Sequence, residues 1–431
     1  MVRGFQKTNR TKKIMDDEKF MAEGGADLQK LLDLDTVKEV AKILKCNIRI
    51  CRAAGSIYIH QLSTIFLDAL NLYHLYGEQI THACNTQGEI ATRYTLFKHL
   101  RLVKGDILEL VTAFLENSGD LPGGPQAIMQ DIMPPLMKEV CVDYKSSPPQ
   151  ARDAKVLVLF ATAISTLRDH ITENVPAIME HIFEPSLELI TQNMTDNPDH
   201  RLGFFKFLRE ANEHTFFGLF NIAPPARKMV VDSVVWAFKH TETNISETGL
   251  EILQELLVKL SESPQIAQPF YQQFLLSLIQ DVMGILTDRL HKSGFALQAT
   301  VLRHMFHMVQ RGEVEAPLFD PSKISHADNR SFLMEHIAQL ITKAFPNLST
   351  DQTSVFVAGL FNINLNPDQF RQHLRDFLIQ IKEFSEGSDN SELFLEEKEA
   401  QLAANNKALW EYQASVPGLI KPSDLEEDPD L

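Results

Sequence analysis

The chain has 431 residues, 44% of them hydrophobic, and a formal net charge of −16 from 57 acidic against 41 basic residues. That length accommodates a sizeable core and about two to four compact domains. The charge disfavours nucleic-acid phosphates and anionic lipid and directs attention to basic protein partners. The longest apolar run, Val156 to Ile164, is far short of the roughly 18 residues a membrane-spanning helix needs.

The first segment, MVRGFQKTNRTKKIMDDEKF, lacks the apolar core of a secretory signal, and its acids argue against a mitochondrial presequence. Arg10, Lys12 and Lys13 read either as a weak nuclear-localisation patch or as part of a solvated tail, and the tail is favoured. From about Thr36 one amphipathic helix follows another, with no convincing period-two strand. Leu62, Ile65, Phe66, Ala69, Leu70, Tyr73 and Tyr76 form one stripe, with Gln61, Asp68 and Asn71 placed away from it. Further stripes run through Phe97 to Phe114, Leu157 to Leu167, Ile178 to Ile190, Leu250 to Leu260 and Phe270 to Ile285. The last, Phe370, Leu374, Phe377, Leu378, Ile381 and Phe384, follows Asn366, Pro367 and Gln369, which have the spacing of a capping box with proline in the first turn.

The breaks carry turn chemistry: SGDLPGGP from Ser118, SSPP from Ser146, NPDH from Asn197, APP from Ala223 and EGSDN from Glu386. Pro134, Pro135 and Pro185 fall inside helical patterns and are expected to kink or restart those helices. Helix pairs recurring at roughly 40 to 50 residues predict an all-α fold, an α-solenoid of HEAT-type antiparallel helix pairs, about eight of them. A compact bundle is the competing architecture; the solenoid is preferred because no segment reads as a central helix apolar on every side. The expected organisation is a disordered tail over 1–30, the solenoid over 31–385, a C-terminal helix over 386–413 and an acidic disordered tail over 414–431. Such a stack offers continuous binding faces, but architecture does not name a partner.

Catalytic readings find little. There is no GxxxxGK followed by Ser or Thr, no GxGxxG and no GxSxG. Gly123-Gly124 reads as a loop. His304 and His307 lie one turn apart without an acid or thiol to complete a metal set, and Glu396-Glu397 reads as a solvated face. Cys46, Cys51, Cys84 and Cys141 show neither metal nor disulfide spacing, which fits idle thiols in a reducing cytosol or nucleus. No enzyme activity, metal or cofactor is expected.

Two features rise above this background. Lys239, His240, Glu242 and Asn244 crowd a turn between two helices, where they either offer partner contacts at a solenoid rim or merely cap and solvate the turn. Asp424, Glu426, Glu427, Asp428 and Asp430 make the end of the chain acidic, as a competitor for a basic surface or a solubilising end.

Several strings carry a more specific signal. TVKEVAKILKCNIRICRAAG (Thr36 to Gly55), IMPPLMKEVCVDYK (Ile132 to Lys145), VVDSVVWAFKHT (Val230 to Thr241), ETGLEIL (Glu247 to Leu253), FLMEHIAQLITKAFPNL (Phe332 to Leu348), FRQHLRDFLIQIKEF (Phe370 to Phe384), ELFLEEKEAQ (Glu392 to Gln401) and SVPG (Ser415 to Gly418) resemble, in order, the C-terminal part of the exportin-1 family of nuclear export receptors, within the importin-β/karyopherin class. The resemblance covers about Leu31 to the end. It implies HEAT repeats, Ran in its GTP form and protein cargo as partners, and admits nucleoporins. It also implies shuttling between nucleus and cytoplasm through the nuclear pore, a monomer, and no nucleic-acid or membrane partner. In the family the groove for leucine-rich signals lies in central repeats, so this chain is expected to begin after it, and none of its four cysteines matches the groove cysteine. The acidic end corresponds to a tail that restrains cargo binding in the family. The alternative is a stand-alone HEAT scaffold or adaptor unrelated to export.

Overall fold

The computed structural model describes residues 28–119, 123–192, 196–288, 294–322 and 326–383. Residues 1–27 of the tail expected over 1–30, the helix 386–413 and the acidic end 414–431 lie outside those residues, while residues 28–30 of that tail belong to a short helix, Leu28–Leu31. Among the described residues there is no strand, and the fold is all-α, built from HEAT-type helix pairs. The helices fall into two compact units, one ending at Trp236 and the other starting at Ala237.

In the first unit the helices are α1 (Leu34–Ala54), α2 (Ile59–Gln87), α3 (Thr95–Glu116), α4 (124–146), α5 (Lys155–Leu167), α6 (Val175–Thr191), α7 (Pro198–His214), α8 (Phe216–Phe220) and α9 (Pro224–Phe238). One row runs α1, α3, α5, α7, each packed on the next; α2, α4 and α6 form a second row, and α8 closes against α6 and α7. A repeat stack has this pattern because each pair buries its apolar face only against its neighbours. Local chemistry sets the ends of α1: Asp33 accepts the Thr36 amide at 3.1 Å, and Gly55, at φ 61°, closes the last turn with a conformation that suits glycine.

The predicted α2 stripe is buried from Leu62 through Tyr76, but Asp68, expected toward solvent, is buried as well. Helices α3 and α5 are buried around most of their circumference. Sequence reading expected no such helix; an interior member of a row is flanked on both sides and backed by the second row, so little of its surface remains free. Pro134 and Pro135 do not end α4. The helix widens into π turns at Ile128–Ile132 and Met137–Cys141 on either side of them. That widening accommodates the missing N–H and the ring's clash with the preceding turn. Pro185 sits within α6, where its carbonyl accepts Arg152 Nη1 at 3.0 Å and the neighbouring Ser186 bonds Tyr144 at 2.8 Å.

A buried ionic knot joins the two rows. Lys104 of α3 meets both carboxylate oxygens of Asp143 in α4, at 2.9 and 2.8 Å. Tyr73 of α2 donates to the same carboxylate at 3.0 Å, and the Lys104 ammonium lies 4.4 Å from the Tyr73 ring centre. Burial pushes the Lys104 pKa down, opposed by Asp143, and pushes the Tyr73 pKa well up. Gly77 makes room for the knot: a β-carbon there would collide with Asp143 Oδ1.

The second unit holds α10 (Thr243–Ser261), α11 (264–287), α12 (Phe295–Gln310), α13 (Asn329–Ala344), α14 (Thr350–Leu360) and α15 (Pro367–Glu383). Helix α12 packs between α10 and α15; α11 lies against α10 and α12, and α14 packs against α13 and α15. The α15 reading holds in detail. Asn366 Oδ1 accepts the Gln369 amide at 2.8 Å and Gln369 Oε1 accepts the Asn366 amide at 3.0 Å, the reciprocal bonds of a capping box. Phe370, Leu374, Phe377 and Leu378 are buried, Ile381 is half-buried, and Phe384 lies outside the described residues. Phe377 stacks on Phe356 of α14, ring centres 3.6 Å apart.

Two glycines of this unit give a paired test of how tightly it is packed. A β-carbon at Gly249 would lie 2.7 Å from the Phe238 backbone nitrogen and 2.8 Å from Ala237 Cβ, whereas one at Gly284 meets nothing within 4 Å. Gly249→Ala is expected to destabilise by about 1–3 kcal/mol through overpacking. Gly284→Ala is expected to stabilise by about 0.5–1 kcal/mol through helix propensity. Urea denaturation of the two variants checks the opposite signs.

Candidate functional site

The turn from Lys239 to Asn244 is shaped from inside. His240 is 1% exposed, and its Nδ1 accepts the Glu242 amide at 3.0 Å, so the neutral ring carries its proton on Nε2. Ser246 Oγ donates to the Phe238 carbonyl at 3.0 Å, and Asn244 Oδ1 accepts the Ile245 amide at 2.9 Å. Lys239 reaches Asp281 of α11 at 2.6 Å. The structure thus presents Lys239, Glu242 and Asn244 on the surface and turns the His240 ring inward, where it holds the corner. Backbone anchoring of this kind gives the exposed side chains a fixed position, which suits a contact surface rather than proton transfer.

His304 and His307 of α12 sit in different surroundings. The His304 ring nitrogens lie 3.4 Å from Gln254 and 3.4 Å from Ser261. His307 is buried, with its ring 6.0 Å from that of Phe370. Cys51 and Cys141 are buried, and burial pushes both thiols up to about 12, which leaves them protonated and poorly nucleophilic at neutral pH. Among the described residues the one close trio of metal-ligating type is Glu210, Glu213 and His214 at the end of α7, where both acids approach the histidine itself, at 3.4 and 3.9 Å. Among those residues, too, no helix is long and apolar enough to cross a membrane.

Sequence reading missed the Lys104–Asp143–Tyr73 knot because its members lie 39 and 70 positions apart in the chain. It also missed two surface pockets of the second unit. One, of about 320 Å³, is lined by Asp351, Gln352, Val355, His373, Asp376 and Gln380 over the stacked Phe356 and Phe377. The other, of about 410 Å³, lies at the turn between α14 and α15 and is lined by Gln310, Arg330, Ala358, Gly359, Phe361, Asn362, Ile363 and Asn364.

His307 supplies a pH signature. Burial first, then the positive fields of Arg303 and Arg311, push its pKa down to about 4. A base lowered in this way costs nothing above pH 6.5, where it is neutral folded or unfolded. Below that the unfolded chain takes up a proton that the native site refuses, so stability falls as pH drops from about 6.5 toward 4. The loss attributable to this residue should reach about 1–3 kcal/mol. The melting temperature of a His307→Gln variant should therefore decline less than that of the parent between pH 6.5 and 4.5.

Comparison with known proteins bears on the same surface-built picture. The family model described as "CRM1 C terminal" matches residues 61–386. Exportin-1 of Schizosaccharomyces pombe is 39% identical over 410 residues, covering 95% of this chain and 38% of that protein. Protein EXPORTIN 1B of Arabidopsis thaliana is 39% identical over 409 residues, with 94% and 37% covered. Exportin-1 of Drosophila melanogaster is 39% identical over 399 residues, with 92% and 37% covered. The chain thus spans less than two fifths of the length of these relatives. With an all-α fold of helix pairs and a family match over most of its length, this chain belongs to the exportin-1 (CRM1) family and corresponds to its C-terminal part.

Proposed function

We propose that this chain serves as the C-terminal HEAT-repeat region of a nuclear export receptor, contributing to Ran-GTP-dependent export of proteins with leucine-rich signals. The observation that carries this reading is the family match over residues 61–386, together with 39% identity along 95% of the chain to an exportin-1. It favours the receptor reading over an unrelated HEAT scaffold, because an unrelated scaffold would share helix pairing without sharing this sequence. Its role is binding, not catalysis. The partners are Ran in its GTP form and protein cargo, with nucleoporins engaged during passage through the pore, and the protein shuttles between nucleus and cytoplasm as a monomer. Lys239, Glu242 and Asn244 are the exposed contact residues of the α9–α10 corner.

With a net charge of −16, long-range attraction should account for much of this chain's affinity for any basic face of its partner. Pull-down with Ran loaded with GTP or GDP tests the reading. Binding should prefer the GTP form and weaken about tenfold or more between roughly 0.05 and 0.5 M salt. Binding indifferent to the nucleotide, or none at low salt, would reject Ran as a direct partner of this chain. Sedimentation should also give a mass near 48.9 kDa, that of one copy.

A further inference from the structure

The groove between α14 and α15 has an apolar floor and an acidic rim. Phe356 and Phe377, stacked 11° from parallel, close it from below, and His373 stacks on Phe356 in turn, ring centres 5.3 Å apart. Both phenylalanines are buried, whereas Val355 on the α14 wall is 69% exposed. The cavity, about 320 Å³, lies near the ~300 Å³ lower bound of ligand clefts, so it suits one long side chain rather than a whole helix.

Its carboxylates stand one on each wall: Asp351 in the first turn of α14 and Asp376 on α15, both exposed. Among the described residues no cation pairs with either; Asp376 accepts the Gln372 side-chain amide at 2.7 Å. The arginines of α15 are engaged elsewhere, Arg371 with Asp368 and the buried Arg375 against the Phe295 ring, 5.3 Å from its centre.

The remaining polar groups add to the acceptors. His373 Nε2 lies 2.9 Å from the Phe356 carbonyl, which can only accept, so the proton sits on Nε2 and the neutral ring leaves Nδ1 as an acceptor. Gln352 Oε1 accepts the Ser349 amide at 2.9 Å in the capping box of α14, which leaves Nε2 to donate. Such a lining repels an anion, and a neutral occupant would strip water from two carboxylates without replacing it.

Arginine matches the arrangement better than lysine does. Its planar guanidinium offers donors in more than one direction, so one head group can serve carboxylates on both walls, whereas an ammonium is a compact point charge. The aliphatic stem covers apolar surface such as Val355, and Gln352 Nε2 can take a backbone carbonyl of the incoming segment.

We propose that the α14–α15 groove receives an arginine-bearing segment of a partner protein, with the guanidinium between Asp351 and Asp376 and its stem along Val355. The groove gives the long-range attraction of a chain with net charge −16 a place where it becomes specific. This recognition belongs to the groove's own side chains and does not require Ran to be the protein that carries the segment.

Fluorescence anisotropy on the whole chain tests it, with a labelled, end-capped Gly-Leu-Arg-Leu-Gly peptide and the same peptide carrying citrulline, which keeps the shape of arginine and loses its charge. The arginine peptide should bind with a dissociation constant below about 1 mM. At about 0.15 M salt, where charge is screened beyond about 8 Å, the citrulline peptide should bind at least about tenfold more weakly. Asp351→Asn combined with Asp376→Asn should weaken the arginine peptide by about tenfold or more. Val355→Lys, which places a cation in the groove, should act in the same direction. Glu184→Gln combined with Glu188→Gln makes the same charge change at exposed positions of α6 and should alter affinity less than about twofold. All five positions are exposed, and a retained melting temperature will exclude unfolding as the cause. Equal losses from the two acid pairs would overturn the proposal in favour of diffuse charge attraction. Equal affinity for the arginine and citrulline peptides, or no binding of the arginine peptide at about 1 mM, would overturn it outright. A lysine peptide bound as tightly would overturn the choice of arginine. Ran binding lost with arginine-peptide binding kept would reject Ran as a partner and leave the groove's assignment standing.

Discussion

The Lys104–Asp143 pair is the interaction on which the first unit's arrangement most depends. A lysine and an aspartate removed from water each carry a desolvation cost of several kcal/mol, and their mutual attraction offsets it only with good geometry and additional hydrogen bonds. Both conditions are met: two short contacts, a tyrosine hydroxyl on the carboxylate and an aromatic face beneath the ammonium. The arrangement fixes position more than it adds stability. A slip of α3 by one residue would leave a charge buried and alone, so the knot penalises wrong registers among α2, α3 and α4 that apolar packing alone would tolerate. Gly77 is its steric counterpart, since a β-carbon at that position would displace the Asp143 carboxylate.

What was legible in the sequence was local. The α15 stripe and its capping box depend on residues three or four apart, and these were read correctly down to Asn366 and Gln369. The same holds for the stripe of α2. What escaped was set by distant partners. Asp68 sits on a face that period alone assigns to solvent, yet neighbouring helices cover it. The α3 and α5 helices are buried nearly all round because of their place in a row, which no window along the chain reveals. His240 looked like an exposed rim residue because it stands among Lys239, Thr241 and Glu242; its burial follows from the bond its ring accepts from the Glu242 amide. The family itself was legible, because it rests on long ordered strings and not on any single site.

The treatment of proline shows how a helical stack absorbs locally unfavourable residues. Pro134-Pro135 and Pro269 both occur beside π turns, at Met137–Cys141 and Tyr271–Leu275 among others, and in neither case does the helical run end. The cost of the lost hydrogen bond is met within one turn by widening, so the neighbours in the row retain their contacts. A terminated helix would instead have exposed the apolar face of the next pair, which in a nearest-neighbour architecture propagates along the stack.

The exposed side chains of two turns stand on backbone that is already fixed. The Lys239 to Asn244 corner is held by His240 and Ser246, and the α14–α15 turn by Arg303 on the Leu365 carbonyl and by the Asn366–Gln369 capping box. Ordering a loop on binding would subtract about 1–2 kcal/mol for each residue fixed, which a contact made by a few polar side chains does not recover. Because these turns are ordered by buried and capping hydrogen bonds, most of the free energy of a polar contact remains available for affinity.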